Sequence, residues 1–209
     1  MSNSTIYQLF PKMLTTSILN LSDGQNISLK DYVSKTECTQ SSDTSIPSCY
    51  ASKDKFILND SRLKFFKNII MHEFDEFKNS IMRLDDTTFE MTTSWMTKTP
   101  KGHFSTFHNH SNSMFSGVFY FDDSSDIEFI DLSTRQFYAV PNQYNDYNCD
   151  AYIIEPKKNM VIFFDSRLYH KIAPNNLDTT RYSLAFNFIP TSGIGQGDSQ
   201  ICFKLGLDN

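Results

Sequence analysis

The sequence contains no dense cluster of Lys or Arg and no long apolar run. Its 209 residues include 19 Lys and Arg against 24 Asp and Glu, which gives a formal net charge of -5 at pH 7. A face that binds nucleic acid needs a basic patch, so we expect no nucleic-acid partner. No stretch approaches the roughly 18 consecutive apolar residues that cross a bilayer. We therefore expect no membrane partner either.

Closely spaced cysteines are also missing. Cys38, Cys49, Cys149 and Cys202 form no CxxC pair. A disulfide framework or a zinc knuckle requires tighter grouping, so reduced thiols are expected. The first ten residues do not combine a basic start with an apolar run, which is the pattern of a secretory signal. Together these features favour a cytoplasmic protein.

The apolar content is sufficient for one sizeable core. Hydrophobic residues make up 39% of the chain, with 19 Phe and 10 Tyr. A chain of this length fits one domain, and we predict a single domain over residues 1–209. Within it we expect an N-terminal strand, polar loop and packing helix over 1–87, a catalytic core over 88–192 and a tail over 193–209.

The N-terminal part is predicted to contain one strong helix. Residues 5–19 suggest an opening strand and a bend around Pro11, and residues 21–54 read as loop with one short helix near 29–33. The polar segment 21–54 and the segment 142–150 are each long enough to form a lid over a pocket. Both are equally typical of a variable surface. A helix capped by Asp60 or Ser61 follows, with an apolar stripe at helical spacing that comprises Leu63, Phe66, Ile69, Ile70, Phe74 and Phe77.

From residue 88 onward the pattern changes to short β-rich runs separated by turn residues. Such punctuation favours a mainly β fold, an antiparallel sandwich or jelly roll, over alternating strands and helices. The candidate strands are 89–97, 104–108, 115–121, 127–132, 137–140, 152–155, 160–164, 168–172 and 182–188.

Three histidines in this β-rich half are candidates for metal ligands. His108 and His110 are two residues apart, so on a strand both imidazoles point to the same face. His170 follows the apolar run 160–164. Three imidazoles suit iron, zinc or copper. The other two histidines, His72 and His103, are expected to be structural or surface residues.

An arginine follows the third histidine. A turn separates His170 from Arg181, so the chain reversal can place both at one end of the core. Arg181 and Ser183 alternate with Tyr182 and share a strand face. A guanidinium binds a carboxylate through two parallel hydrogen bonds, so a metal with Arg181 and Ser183 beside it suits a 2-oxoacid. Alternatively, Arg181 forms a salt bridge at the rim, for instance with Asp178.

The order of these motifs resembles one family of 2-oxoglutarate-Fe(II) oxygenases from bacteria and their viruses. The resemblance rests on His108-x-His110, Ser116-Gly117-Val118-Phe119-Tyr120, His170, Arg181-x-Ser183 and Phe186-Asn187, with Leu9-Phe10-Pro11 and Ser94-Trp95 as further matches. It implies a double-stranded β-helix (jelly-roll) core, Fe(II), 2-oxoglutarate and molecular oxygen, in the cytoplasm of a bacterium or a virus-infected host cell.

The resemblance also implies an activity and further site residues. The activity is a dioxygenase reaction that hydroxylates an unidentified substrate and releases succinate and carbon dioxide. His108, His110 and His170 hold the metal, and Arg181 with Ser183 anchors 2-oxoglutarate. Tyr120 and Asn187 are expected to face the co-substrate.

The sequence departs from the superfamily at one ligand. The usual set is His-x-Asp or His-x-Glu with a distal His, but His110 occupies the acidic position. Either His110 is a ligand, or an acid such as Asp131 or Glu128 completes the site. A set of three neutral imidazoles would leave Fe(II) with its full charge of +2, which favours anionic 2-oxoglutarate.

Two other classes of protein fit parts of the pattern. Gly102 and His108-x-His110 match the start of a cupin motif, but Met114 and Phe115 stand where a cupin glutamate is expected. A cupin would bind metal and ignore 2-oxoglutarate. A non-enzymatic jelly-roll binding module would show histidines without a common focus. In either case, an edge-rich sheet protein with this much Phe is a candidate homodimer.

Overall fold

The computed structural model describes residues 11–40, 47–132 and 140–201, together with Thr5 and Tyr7. These residues form a mainly β structure with two α-helices, α1 (Asp23–Lys35) and α2 (Lys64–Glu76). The strands are β1 (Leu14–Ile18), β2 (Cys38–Gln40), β3 (Tyr50–Ser52), β4 (Phe89–Thr99), β5 (Ser105–His108), β6 (Phe115–Tyr120), β7 (Ile127–Ile130), β8 (Ala151–Ile154), β9 (Met160–Asp165), β10 (Tyr169–Ile172) and β11 (Arg181–Pro190).

The strands form two antiparallel sheets. The larger sheet has the order β1-β9-β6-β11-β4-β3-β2, and the smaller sheet has the order β5-β10-β7-β8. Most neighbours in these sheets are far apart in sequence, as expected for a jelly roll and not for a simple meander. The mainly β, antiparallel prediction is confirmed.

Helix α2 covers one face of the larger sheet. Phe66 packs edge-on against Phe119 at 4.8 Å between ring centroids, and Phe74 stacks on Phe188 at 3.8 Å. All four side chains are fully buried, and burying an aromatic side chain of this size is worth about 1.5–3 kcal/mol. The predicted apolar stripe is therefore the contact between helix and sheet. A π-helical segment, Phe77–Ile81, extends the helix and adds Phe77 to this contact.

The other face of the larger sheet packs against the smaller sheet. Val118 and Phe164 from the larger sheet form a second core with Ile127 and Phe129, and the rings of Phe129 and Phe164 lie 5.1 Å apart. Side chains alternate between the two faces of each strand. Every second residue of β4, β6 and β11 therefore lines the layer between the two sheets. The cavity with the candidate functional residues lies in this layer.

Gly117 allows the central strands to approach closely. A Cβ at this position of β6 would clash with the Phe186 ring on β11 and would lie 2.8 Å from the Ile162 carbonyl oxygen on β9. Real Cβ atoms do not make contacts this short. The glycine within the matched run Ser116-Gly117-Val118 is therefore required by the packing of β6 against its neighbours β9 and β11.

The prediction of a mostly irregular segment over 21–54 is wrong. This segment contains the 13-residue helix α1 and the strands β2 and β3. Ser22 caps α1 by accepting a hydrogen bond from the Gln25 N–H, while the Gln25 side chain accepts one from the Ser22 N–H. This capping box supplies the stability that a weak apolar stripe does not.

Other element boundaries differ by one or two residues from those predicted. β4 continues to Thr99, and β11 extends from Arg181 to Pro190. The predicted strand 137–140 and the matched residues 9 and 10 lie outside the described residues, apart from Val140. In the described ranges, the helices are too short and too polar to span a membrane.

Candidate metal centre and co-substrate pocket

His108 and His170 face each other on neighbouring strands. His170 on β10 pairs directly with His108 on β5, and their ring centroids are 4.4 Å apart. The Nδ1 of His108 bonds to the Thr106 carbonyl at 2.9 Å, and the Nδ1 of His170 bonds to the Leu168 carbonyl at 2.9 Å. Each carbonyl accepts a hydrogen bond from the Nδ1–H group, which leaves the lone pair of Nε2 free. This arrangement orients a histidine ligand.

His110 joins this pair from the loop after β5. Its ring centroid lies 5.3 Å from that of His108 and 5.1 Å from that of His170. One ligand nitrogen from each of the three lies within 4.8 Å of the others. In the ranges that the structure describes, no other group of three or more potential metal-ligating side chains is this close. The predicted ligands therefore do converge on one point.

The electrostatics keep two of these imidazoles neutral. Burial, with a smaller contribution from His108, lowers the pKa of His110 from its ordinary value to about 4. Burial, with smaller contributions from His108 and His110, lowers the pKa of His170 to about 3, although its hydrogen bond to the Leu168 carbonyl acts in the opposite direction. Both rings are uncharged at neutral pH, and the neutral ring is the form that binds a metal ion.

The acidic alternatives do not lie with the histidines. Glu128 pairs with Lys171 at 2.8 Å, on the face of β7 opposite to the one that meets His170. Asp131 is exposed and forms an ion pair with Lys12 at 3.3 Å. Neither carboxylate belongs to the cluster, and among the described residues the candidate donor set is three imidazoles.

Arg181 is buried with most of its donors unused. It is 5% exposed and lies opposite Thr99, to which Nη2 donates a hydrogen bond of 2.9 Å. Its Nε and Nη1 have no hydrogen-bond partner among the described residues, and burial lowers the pKa of Arg181. Asp178, the alternative partner, pairs with Lys101 instead. A buried cation without an anion is unfavourable, so this guanidinium fits a carboxylate ligand.

Two hydroxyl groups accompany Arg181. Ser183 is buried, lines the same cavity and lies directly opposite Tyr120 on β6. The Tyr120 hydroxyl is fully buried and has no hydrogen-bond partner in the described part of the chain, and burial raises the pKa of Tyr120 above its ordinary value. Tyr120 is therefore a neutral donor close enough to Arg181 to interact with it electrostatically.

The three histidines, Arg181 and Ser183 line one cavity of about 130 Å³. Of the four residues predicted to bind the co-substrate, the other two, Tyr120 and Asn187, do not line it. The Asn187 amide accepts a hydrogen bond from Ser116 at 2.7 Å and donates one to Thr93 at 3.1 Å. Asn187 lies on the same strand face as Arg181 but six residues further along β11.

Some lining residues had no signal in the sequence. Cys49 and Ala51 line the cavity from the segment predicted as loop, and burial raises the pKa of the Cys49 thiol. Trp95 also lines it, with its ring 5.6 Å from that of His110; only the resemblance had singled it out. Of the other histidines, His103 bonds to the Ser48 carbonyl at 2.8 Å and His72 is exposed.

A family model matches the centre of the chain. The model described as "Putative 2OG-Fe(II) oxygenase" covers residues 93–187. This range contains the three histidines, Arg181, Ser183 and both strands that meet at Gly117. No curated protein matches the sequence.

Several solved structures share the fold. The α-ketoglutarate-dependent epimerase SnoN from nogalamycin biosynthesis superposes with a TM-score of 0.67 at 9% identity, over 93% of this chain and 91% of that chain. A prolyl-4-hydroxylase from Pseudomonas putida has a TM-score of 0.59 at 14% identity, over 84% and 91%. HygX from Streptomyces hygroscopicus, with nickel, 2-oxoglutarate and hygromycin B bound, has a TM-score of 0.57 at 10% identity, over 85% and 83%.

The fold is thus the double-stranded β-helix of these oxygenases, as predicted. Residues 93–187 match the model of the 2OG-Fe(II) oxygenase family, a class of oxidoreductases. The site residues fit what that class binds. Three imidazoles can hold a divalent transition metal, and the unpartnered donors of Arg181 can hold a carboxylate in the same cavity.

Proposed function

We propose that this enzyme holds Fe(II) on His108, His110 and His170 and binds 2-oxoglutarate with its distal carboxylate on Arg181 and Ser183. The observation that carries the proposal is the shared cavity. Three metal-ligating side chains and a buried arginine with two unpartnered nitrogens line the same space. A molecule with a chelating keto-acid group at one end and a carboxylate at the other matches both.

The reaction proposed is hydroxylation of an unidentified substrate. One molecule each of 2-oxoglutarate, oxygen and substrate R–H gives succinate, carbon dioxide and R–OH. Bound iron supplies the oxygen activation and electron transfer that no amino-acid side chain provides. The chain's residues bind, orient and shield the reactants, and no general base is required.

Arg181 and Ser183, which line the cavity, and Tyr120, which lies opposite Ser183 on β6, have separate tasks. Arg181 supplies the positive charge and a planar pair of donors, which select a carboxylate over a neutral group. Ser183 adds a hydroxyl from the same strand face. Tyr120 remains protonated because its surroundings disfavour the phenolate, so its hydroxyl can donate a further hydrogen bond.

The histidines differ from the usual ligand set in charge. Because Glu128 and Asp131 are paired elsewhere, three neutral imidazoles would leave the full +2 charge of the ion in place. Together with Arg181, the cavity then favours a dianion such as 2-oxoglutarate over a monocarboxylate.

The test is oxygen-dependent formation of succinate. The purified chain with Fe(II), 2-oxoglutarate and air is expected to form succinate slowly even without its substrate, measured by NMR of the reaction mixture. His170→Ala is expected to abolish this, whereas His72→Ala, which changes an exposed histidine outside the site, retains it. The proposal is wrong if the two variants form succinate at the same rate.

A further inference from the structure

The three candidate ligands are held in place in two different ways. The rings of His108 and His170 each bond to the carbonyl two residues earlier on their own strand segment. His110 lies in a loop and is held through its backbone: its N–H donates to the Ser166 carbonyl at 3.0 Å, and its carbonyl accepts from the Ser113 hydroxyl at 3.2 Å. The orientation of His110 therefore depends on Ser113 and Ser166.

These two serines belong to a row of polar side chains that crosses the larger sheet. Ser166 Oγ lies 3.1 Å from Ser113 Oγ and 2.7 Å from Ser116 Oγ. Ser116 in turn donates to Asn187 at 2.7 Å, and Asn187 donates to Thr93 at 3.1 Å. Thr93, Asn187 and Ser116 are direct cross-strand neighbours on β4, β11 and β6. The row starts in the sheet and ends at His110.

The row is buried where an unsatisfied hydroxyl would be costly. Ser166 is 0% exposed and Ser116 is 1% exposed. Burying a hydroxyl group without a hydrogen bond costs about 1–3 kcal/mol. Both hydroxyls avoid that cost only through their partners in the row, so each serine depends on the other members of the row.

Counting hydrogens gives the row a direction. Each serine has one hydroxyl hydrogen. Ser116 gives its hydrogen to the Asn187 oxygen, so Ser166 must donate to Ser116. Ser166 is then free to accept from Ser113, whose single hydrogen is shared in a three-centre hydrogen bond between Ser166 Oγ at 3.1 Å and the His110 carbonyl at 3.2 Å. Asn187 thereby fixes the hydroxyl orientations as far as the His110 loop.

We propose that Asn187, Ser116, Ser166 and Ser113 are positioning residues that set His110 as the third metal ligand. Asn187 thus acts on the site through the serines and His110, and not by contact with 2-oxoglutarate. This inference rests on the proposed function of the three histidines as metal ligands. Partners that orient a ligand typically change metal affinity by about 10- to 100-fold when removed.

The test measures Co(II) binding to the full-length apo protein without 2-oxoglutarate. Titration gives the Kd for Co(II), and the visible spectrum of bound Co(II) is recorded as a second readout. Ser166→Ala is expected to raise the Co(II) Kd roughly tenfold or more and to change the spectrum. Ser94→Ala is the matched control, since Ser94 is 3% exposed and accepts a hydrogen bond from the Leu58 N–H at 2.9 Å, on the opposite face of β4. It should lose stability and keep the wild-type Kd.

A double-mutant cycle separates positioning from general destabilisation. In a His110→Ala background, Ser166→Ala should change the Co(II) Kd by less than about twofold, because its route to the metal is already removed. Ser113→Ala, at a half-buried loop position, gives a second variant that folds more readily and should act in the same direction. A tenfold effect that persists without His110, or a Kd unchanged in both serine variants, overturns the inference.

The outcomes also separate this inference from the proposed function. If the wild-type protein binds no Co(II), or if wild type and His170→Ala bind Co(II) with the same Kd, the proposed metal site is wrong. If wild-type protein binds Co(II) through the histidines and only the serine variants have no effect, the metal site stands and the positioning role is rejected.

Discussion

At the scale of single residues, Arg181 makes the most specific prediction. It is buried beside the cavity with Nε and Nη1 unpartnered. A hydrogen bond to a charged group is worth about 1.5–3 kcal/mol. Arg181→Ala is therefore expected to raise the Kd for 2-oxoglutarate at least about tenfold, while the Kd for Co(II) changes by less than about twofold; calorimetry of each ligand measures both.

The control for Arg181 is another cation close to the same end of the core. Lys101 pairs with Asp178 at the surface, so Lys101→Ala removes one positive charge without touching the cavity. It should leave both dissociation constants unchanged. Equal losses of metal and 2-oxoglutarate binding in Arg181→Ala would show that the residue supports the structure and does not bind the co-substrate.

His110 tests the charge of the ligand set. His110→Asp replaces a neutral imidazole by a carboxylate and lowers the charge of the loaded centre from +2 to +1. One unit of charge at about 4 Å is worth roughly 4 kcal/mol at an effective dielectric constant of about 20, and solvent reduces this. We expect Co(II) to remain bound and the Kd for 2-oxoglutarate to rise at least about tenfold.

The neutral variant His110→Asn separates charge from shape. It has the size of aspartate without its charge, so its 2-oxoglutarate Kd, measured on the Co(II)-loaded protein, should stay closer to that of wild type. If the Asp and Asn variants weaken 2-oxoglutarate equally, the net charge of the centre does not control co-substrate binding.

At the scale of secondary-structure elements, the packing of β6 against β9 depends on Gly117. Gly117→Ala places a Cβ 2.8 Å from the Ile162 carbonyl oxygen. Overpacking of this kind costs about 1–3 kcal/mol, so the midpoint of urea denaturation should fall. Gly24→Ala is the matched control: a Cβ there meets nothing within 4 Å on a helix, and alanine should raise stability by about 0.4–1 kcal/mol. Equal midpoints would refute the packing argument.

The elements show why some of the fold could be predicted from sequence and some could not. Helix α2 has Phe66, Ile70 and Phe74 buried on one face, so its periodicity predicted both the helix and its packing. Helix α1 buries only Leu29 and Val33, too few for a clear stripe. Its capping box, Ser22 with Gln25, was present in the sequence as a usable signal.

At the scale of the whole molecule, the candidate site could be predicted where local spacing determined it. The spacing of His108 and His110 and the reversal between His170 and Arg181 predicted the residues that line the cavity. The contributions of Cys49 and Ala51 could not be predicted, because pairing of β3 with β4 brings a distant polar segment to the cavity. Asn187 was expected to face the co-substrate, but the cross-strand register places it beside Ser116 and Thr93.

The most direct measurement of the central claim is the visible spectrum of the full-length protein without oxygen. Fe(II) and 2-oxoglutarate added together are expected to give a weak charge-transfer band that neither gives alone. The band should be absent in His170→Ala and should require much more 2-oxoglutarate in Arg181→Ala. A band that is missing with both ligands present, or that is unchanged in His170→Ala, would contradict a centre built from the three histidines and Arg181.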